Sequence, residues 1–223
     1  MLGPDARAEG EAAVTDRDQD LRTQKIWARD APHYDSWMRR FDRHMLRGGR
    51  ARLCARAEGR VLEVAVGTGL NLPHYPKGTG LTGVVLSPDM LARARVRAAD
   101  LGIEATFREA SATRLPFPDH SFDTVVCALA LCCIPDDRAA VEEMRRVLVP
   151  GGALLLIDHV ISHKFPVRMV QRALEPLMVR FADDHQLRRP LRLVTDAGFT
   201  VVERERYSLG VIERIVALKP GPE

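Results

Sequence analysis

Residues 60–71 read RVLEVAVGTGLN. Val61, Leu62, Val64 and Val66 form a short apolar run, the pattern of a strand buried on both faces of a parallel sheet. The run ends in Gly67-Thr68-Gly69. Glycine at that point lets the backbone turn sharply and lets a ligand approach the main chain. Spacing tests two phosphate-cradling readings of this loop. A dinucleotide fingerprint needs GxGxxG, and its third glycine falls on Leu72. A Walker loop needs Gly-Lys-Ser/Thr, and no such run follows. Glu63 lies close to the loop, where a carboxylate repels phosphate and suits a cationic ligand.

The strand–turn–helix pattern repeats outward from this stretch. Residues 81–86 are a second strand. Ser87 then reads as an N-cap, with Pro88 at the first helical position and Asp89 in the first turn. The helix 88–101 stops at Gly102. Residues 103–109 and 122–131 read as strands three and four, and 153–158 as strand five, after a helix over 137–148. Residues 166–197 read as helical, with breaks near Pro176 and Pro190. Residues 200–207 and 211–218 are two strands joined by Ser208-Leu209-Gly210, a hairpin signal. Alternating units of this kind predict an α/β fold with parallel strands and right-handed crossovers, closed by one antiparallel strand.

The chain has 223 residues, 46% apolar and 28% charged, with a net charge of +3, which argues for no nucleic-acid partner. Arg outnumbers Lys 29 to 4. The longest apolar run, residues 125–134, falls well short of the roughly 20 residues that span a bilayer. The N-terminus has no apolar core of a signal peptide. Four cysteines without CxxC spacing fit free thiols in a reducing cytoplasm. Residues 1–22 lack apolar periodicity and read as a disordered tail. Residues 24–47 read as a helix whose stripe holds Tyr34, Trp37, Met38, Phe41 and Met45. Arg39, Arg43, Arg47 and Arg50 form another face, either a solvated surface or a contact for an anionic lipid head or substrate.

Four segments together are specific: VLEVAVGTGLN, LTGVVLSPDMLARAR, RLPFPDHSFDTVV and EEMRRVLVPGGALLLIDHV. They resemble the class I S-adenosylmethionine-dependent methyltransferases. The branch is the one containing ubiquinone/menaquinone, phosphatidylethanolamine and thiol methyltransferases. The resemblance implies a Rossmann-like seven-stranded sheet of order 3-2-1-4-5-7-6 with strand 7 antiparallel, in one domain over 23–220. It implies S-adenosylmethionine as cofactor and a small-molecule or lipid acceptor. By the same resemblance the cofactor residues are Tyr34, Glu63, Ala65, Gly67, Thr68, Gly69, Asn71, Val85, Leu86, Met90, Ser111, Ala112, Ala128 and Leu129. Three positions depart from the family pattern. Ala65 replaces the first glycine of the loop. Val85 replaces the carboxylate that grips the ribose hydroxyls. Ser111 replaces an Asp that contacts the adenine amino group.

Methyl transfer from a sulfonium is an in-line displacement of an activated group, so positioning supplies much of the rate. A base is needed only where the acceptor must lose a proton. His159, at the end of strand five, is a candidate base or substrate contact, or else a structural histidine. Tyr34 on the first helix is a candidate cofactor contact, or else core packing. Cys132-Cys133 reads as buried packing, and Asp183-Asp184-His185 as a helix end rather than a metal site. The competing reading is a methyltransferase-like protein with a degenerate cofactor site, binding a ligand or catalysing other chemistry. A further one is a peripheral membrane module.

Overall fold

The computed structural model describes the backbone of residues 4–221 and side chains from residue 18 onward. Seven strands form one sheet of order β3-β2-β1-β4-β5-β7-β6. They are β1 (Arg60–Val64), β2 (Gly80–Val85), β3 (Ala105–Glu109), β4 (Phe122–Ala128), β5 (Leu148–His159), β6 (Thr200–Tyr207) and β7 (Ile212–Leu218). The first five pair in parallel; β7 runs antiparallel to both β5 and β6. This is the order and sense expected from the sequence. The sheet's side chains alternate between two cores. Leu62, Val125, Leu154 and Leu156 pack on one face with Val141 and Met144. Val61, Val126, Leu155 and Ile157 pack on the other with Leu46 and Leu53. The period of two along each strand places consecutive apolar residues on opposite sides, which is why these strands read as continuous runs.

Six helices flank the sheet: α1 (Pro4–Phe41), α2 (Gly49–Cys54), α3 (Pro88–Leu101), α4 (Asp137–Val147), α5 (Phe165–Ala182) and α6 (Pro190–Asp196). Ser87 caps α3 as expected, its side chain accepting from Met90 N at 3.4 Å, and Gly102 ends the helix at φ 63°. Among the described residues, no helix is long and apolar enough to cross a membrane.

Several local expectations are corrected. Helix α1 ends at Phe41, short of the helix expected to run to residue 47, and its start at Pro4 falls within the segment read as a tail. Its first turns are rich in Ala, Glu and Arg, which favour helix without an apolar stripe; residues 1–3 lie outside the described residues. Helix α1 is followed by a π-helical turn over Asp42–Leu46, then by Arg47 at φ 48° and Gly48 at φ 77°. Arg50 does not share the exposed arginine face. It is 5% exposed, and donates to Asp42 at 3.0 Å and to Asn71 Oδ1 at 2.9 Å. Strand β4 stops at Ala128 because Leu129 turns left-handed at φ 55°. Strand β5 starts early, at Leu148, which pairs with Phe122 across an irregularity. Helix α5 runs through Pro176 and instead ends at Asp183, φ 53°.

Candidate active site

The sheet order reverses between β1 and β4, and a cleft opens there beyond the carboxyl ends of the strands, where α/β sheets bind ligands. Each strand contributes the residues just past its end. Ala65 and Gly67 follow β1; Val85 closes β2, with Leu86, Ser87 and Met90 after it; Ala110 to Thr113 follow β3; Leu129, Ala130 and Cys133 follow β4. Helix α1 closes the cleft with Asp20, Thr23, Trp27 and Tyr34. Nine of the residues expected from the sequence therefore share one wall: Tyr34, Ala65, Gly67, Val85, Leu86, Met90, Ser111, Ala112 and Leu129. Gly67 has φ 56°, and a Cβ there would meet only Ala65 O, at 3.9 Å. The space beside this glycine is open to a ligand rather than filled by protein.

Five expected residues face elsewhere. Glu63 is 2% exposed and accepts from Asn71 Nδ2 and from the Tyr75 hydroxyl, both at 2.8 Å. Strand alternation turns it away from the cleft, towards α2. Asn71 is spent on Glu63 and Arg50. Thr68 donates to Asp35 Oδ1 at 2.6 Å. Gly69, φ 80°, is required by packing, since a Cβ would lie 2.7 Å from Leu72 Cδ1. Ala128 packs against the second core. Burial raises the Glu63 carboxyl to about 7, although bonds from Tyr75 and Asn71 and the charge of Arg50 oppose the shift.

The sequence reading missed Asp20, Thr23 and Trp27. Their signal was present: with Tyr34 they recur every three to seven residues, on one helical face. Asp20 accepts from Ser111 Oγ at 3.2 Å. Gln24 Nε2 reaches Leu86 O at 2.9 Å and Glu109 Oε1 at 3.1 Å, tying α1 to the ends of β2 and β3. Asp35 adds an ion pair with Arg97 of α3.

A second cavity of about 840 Å³ adjoins the cleft, and Trp27, Tyr34, Leu129 and Cys133 line both. Its volume falls in the range of small-molecule sites, roughly 300–1,000 Å³. Tyr34 lies between Trp27, at 5.9 Å and edge-on, and Trp37, at 6.0 Å. Its hydroxyl is pushed up to about 12, mainly by burial.

The polar part of this cavity is built around His159. Its Nε2 lies 2.6 Å from Asp184 Oδ1, and its Nδ1 lies 3.4 Å from Asp158 Oδ1. Asp158 also accepts from Cys132 N at 3.2 Å. Burial alone would lower the imidazole pKa, but the two carboxylates outweigh it and raise it well above the usual histidine value. Asp184 is also buried, yet its bond to His159 holds it below the ordinary carboxylate range. An imidazolium committed to two carboxylates is a charge-bearing contact and a poor proton acceptor. The Cys132 and Cys133 sulfurs are 3.4 Å apart. Burial pushes the Cys132 thiol well up, so it is no ready nucleophile.

A family model described as a methyltransferase domain matches residues 62–156. The phosphatidylethanolamine N-methyltransferase of Cereibacter sphaeroides is 39% identical over 157 residues, which cover 68% of this chain and 75% of that protein. The chain belongs to the class I S-adenosylmethionine-dependent methyltransferases. The demethylmenaquinone methyltransferase of Deinococcus radiodurans is 36% identical over 159 residues, covering 68% of this methyltransferase and 66% of its relative. A solved S-adenosylmethionine-dependent methyltransferase of Thermotoga maritima superposes with a TM-score of 0.64 at 24% identity, over 86% of this chain and 99% of that one. The cofactor is therefore S-adenosylmethionine, and the cleft of this methyltransferase is of a kind that fits it. An uncharged floor without a phosphate loop suits a ligand that carries a sulfonium and no phosphate.

Val85, where the resemblance expects a ribose-binding carboxylate, lines this cleft with an apolar side chain. The Val85→Asp variant is expected to bind S-adenosylhomocysteine about tenfold more tightly, near the low end for a charge-assisted bond because the new charge must be desolvated. Calorimetric titration of wild type and variant at one pH and salt measures this. Equal, tight binding by both would mean that another side chain already holds the ribose.

Proposed function

We propose that this methyltransferase transfers the methyl group to a small-molecule or lipid acceptor seated in the 840 Å³ cavity. The observation that carries the reading is the shared wall. Trp27, Tyr34, Leu129 and Cys133 border both spaces, so an acceptor in one can face a donor in the other. S-adenosylmethionine supplies an activated methyl group on a cationic sulfur. The chain's own residues supply position and dryness: Trp27, Tyr34 and Trp37 exclude water, and the apolar remainder holds the body of the acceptor. The Asp158–His159–Asp184 group carries one more negative than positive charge when the imidazole is protonated. It favours an acceptor whose reacting end is polar or cationic. The two relatives named above are described as acting on a phospholipid and on a quinone precursor, which supports an acceptor with a large apolar body. The four cysteines are free, which supports a cytoplasmic setting. The degenerate-site reading rests on Val85 and Ser111 alone, and the open cradle at Gly67 speaks against it.

The test is incubation with methyl-labelled S-adenosylmethionine and a bacterial lipid extract, followed by solvent partition. Label is expected in the organic phase. Tight binding of S-adenosylhomocysteine without transfer to the lipid extract or to a panel of small amines, thiols and quinols would sink the proposal.

A further inference from the structure

Helix α5 presents an unusual outer face. Phe165, Met169, Val170, Leu174, Leu177 and Phe181 are each between 44% and 65% exposed. At 100° per residue, Val170, Leu174, Leu177 and Phe181 fall within a strip about 60° wide, and Met169 and Phe165 lie about 80° and 120° from its edge, so the six together cover about half of the helix. The opposite face is anchored. Gln171 is buried, donating to Val160 O at 2.9 Å and accepting from Ser162 N at 2.7 Å. The outward face is thus a fixed feature of the fold.

Its charges are of one sign. Lys164, Arg172 and Arg180 are exposed, Arg180 falling between Met169 and Leu177 and Arg172 at the edge beside Phe165, and Arg168 stacks over the Phe165 ring at 5.6 Å. The only acid in the helix, Glu175, turns inward and accepts from Gln186 N at 2.8 Å. We infer that this face of α5 docks the enzyme in-plane on an anionic lipid surface, with the six apolar side chains in the headgroup–acyl boundary and the basic residues on lipid phosphates. The charges decide between occupants. A second copy of the same face would oppose Arg172 and Arg180 to like charges, and α5 itself turns no acid outward to pair them. An anionic bilayer complements both the strip and its basic fringe. The position fits as well: Gln171 and Met178 of the same helix line the acceptor cavity, and so does Trp37, itself 50% exposed. The exposed arginines of α1 are set apart from any comparable apolar strip, so α5 replaces them as the membrane surface.

The experiment is co-sedimentation with vesicles of phosphatidylcholine alone or mixed with phosphatidylglycerol, at low and high salt. The full chain is expected to sediment with the anionic vesicles, weakly with the neutral ones, and less as salt rises. Val170→Glu combined with Leu177→Glu is expected to weaken sedimentation by about tenfold or more, with the melting temperature kept because both sites are exposed. Arg172→Gln combined with Arg180→Gln is expected to weaken binding to anionic vesicles by about tenfold and leave neutral vesicles unaffected. Failure of the wild type to sediment with anionic vesicles at low salt overturns the inference, as does binding that the Glu pair leaves unchanged. A dimer in light scattering that the Glu pair dissolves would assign the face to a second copy instead. No cofactor enters these measurements and no methyl transfer is read, so their failure leaves the proposed function standing.

Discussion

Gly67→Val removes S-adenosylmethionine binding and leaves the domain folded. A Cβ at this residue meets no protein atom nearer than Ala65 O at 3.9 Å, so the new side chain fills the cleft itself. The expected loss is at least about 100-fold in affinity, or roughly 3 kcal/mol. A β-branched residue at φ 56° also strains the backbone by about 1–2 kcal/mol, which lowers the melting temperature without unfolding the chain. Gly69→Val contrasts with it. There the added atoms strike Leu72 Cδ1 at 2.7 Å, and stability falls before any ligand is involved. Titration with S-adenosylhomocysteine beside thermal melts separates the two. A folded Gly67→Val protein that still binds at wild-type strength would remove this loop from the cofactor site.

Glu63→Gln flattens the pH dependence of stability and makes the protein more stable at about pH 8. The folded pKa, about 7, lies above the unfolded 4.5, because burial penalises the carboxylate more than Tyr75, Asn71 and Arg50 repay it. The folded state therefore holds the proton more tightly. This contribution is fully present below 4.5, and is lost as pH rises through 7. The shift corresponds to roughly 3 kcal/mol. Glutamine keeps an acceptor for Asn71 Nδ2 and offers a donor to the Tyr75 oxygen, so the bonding survives without the charge. Urea unfolding of both proteins at about pH 5 and about pH 8 gives the comparison. Parallel pH profiles would show that Glu63 titrates like an exposed carboxyl.

These two residues also mark how far the sequence could be read. The strand after which Gly67 turns is announced by its own apolar run, as are β2, β4, β5 and β7, whereas the edge strands β3 (ATFRE) and β6 (TVVERERY) are mostly polar and rest on their place in the alternating pattern. Strand alternation sets the side that Glu63 faces, but what it meets there is not local: Asn71 and Tyr75, from the segment after β1, bond to it, and Arg50 of α2 holds Asn71. His159 was visible as a polar residue at a strand end. Its partner Asp184 was not, because it lies 25 positions further on, and the chain between folds out as a helix and returns. The bounds of α1 failed for a related reason. Its first turns carry no apolar stripe; the helical period of Asp20, Thr23 and Trp27 with Tyr34 is legible, but the cleft that this face covers is not. Pro176 misled by its usual effect on helices, yet it sits on the outer face of α5, away from the core contacts that hold that helix.

Helix α1 supplies Asp20 and Thr23 to the cofactor cleft, Trp37 to the acceptor cavity, and Trp27 and Tyr34 to both. Behind it, Arg47 and Gly48 are two consecutive left-handed residues. One helix is thus a wall common to both spaces, so a substitution that shifted its seating would reshape the two together rather than one alone.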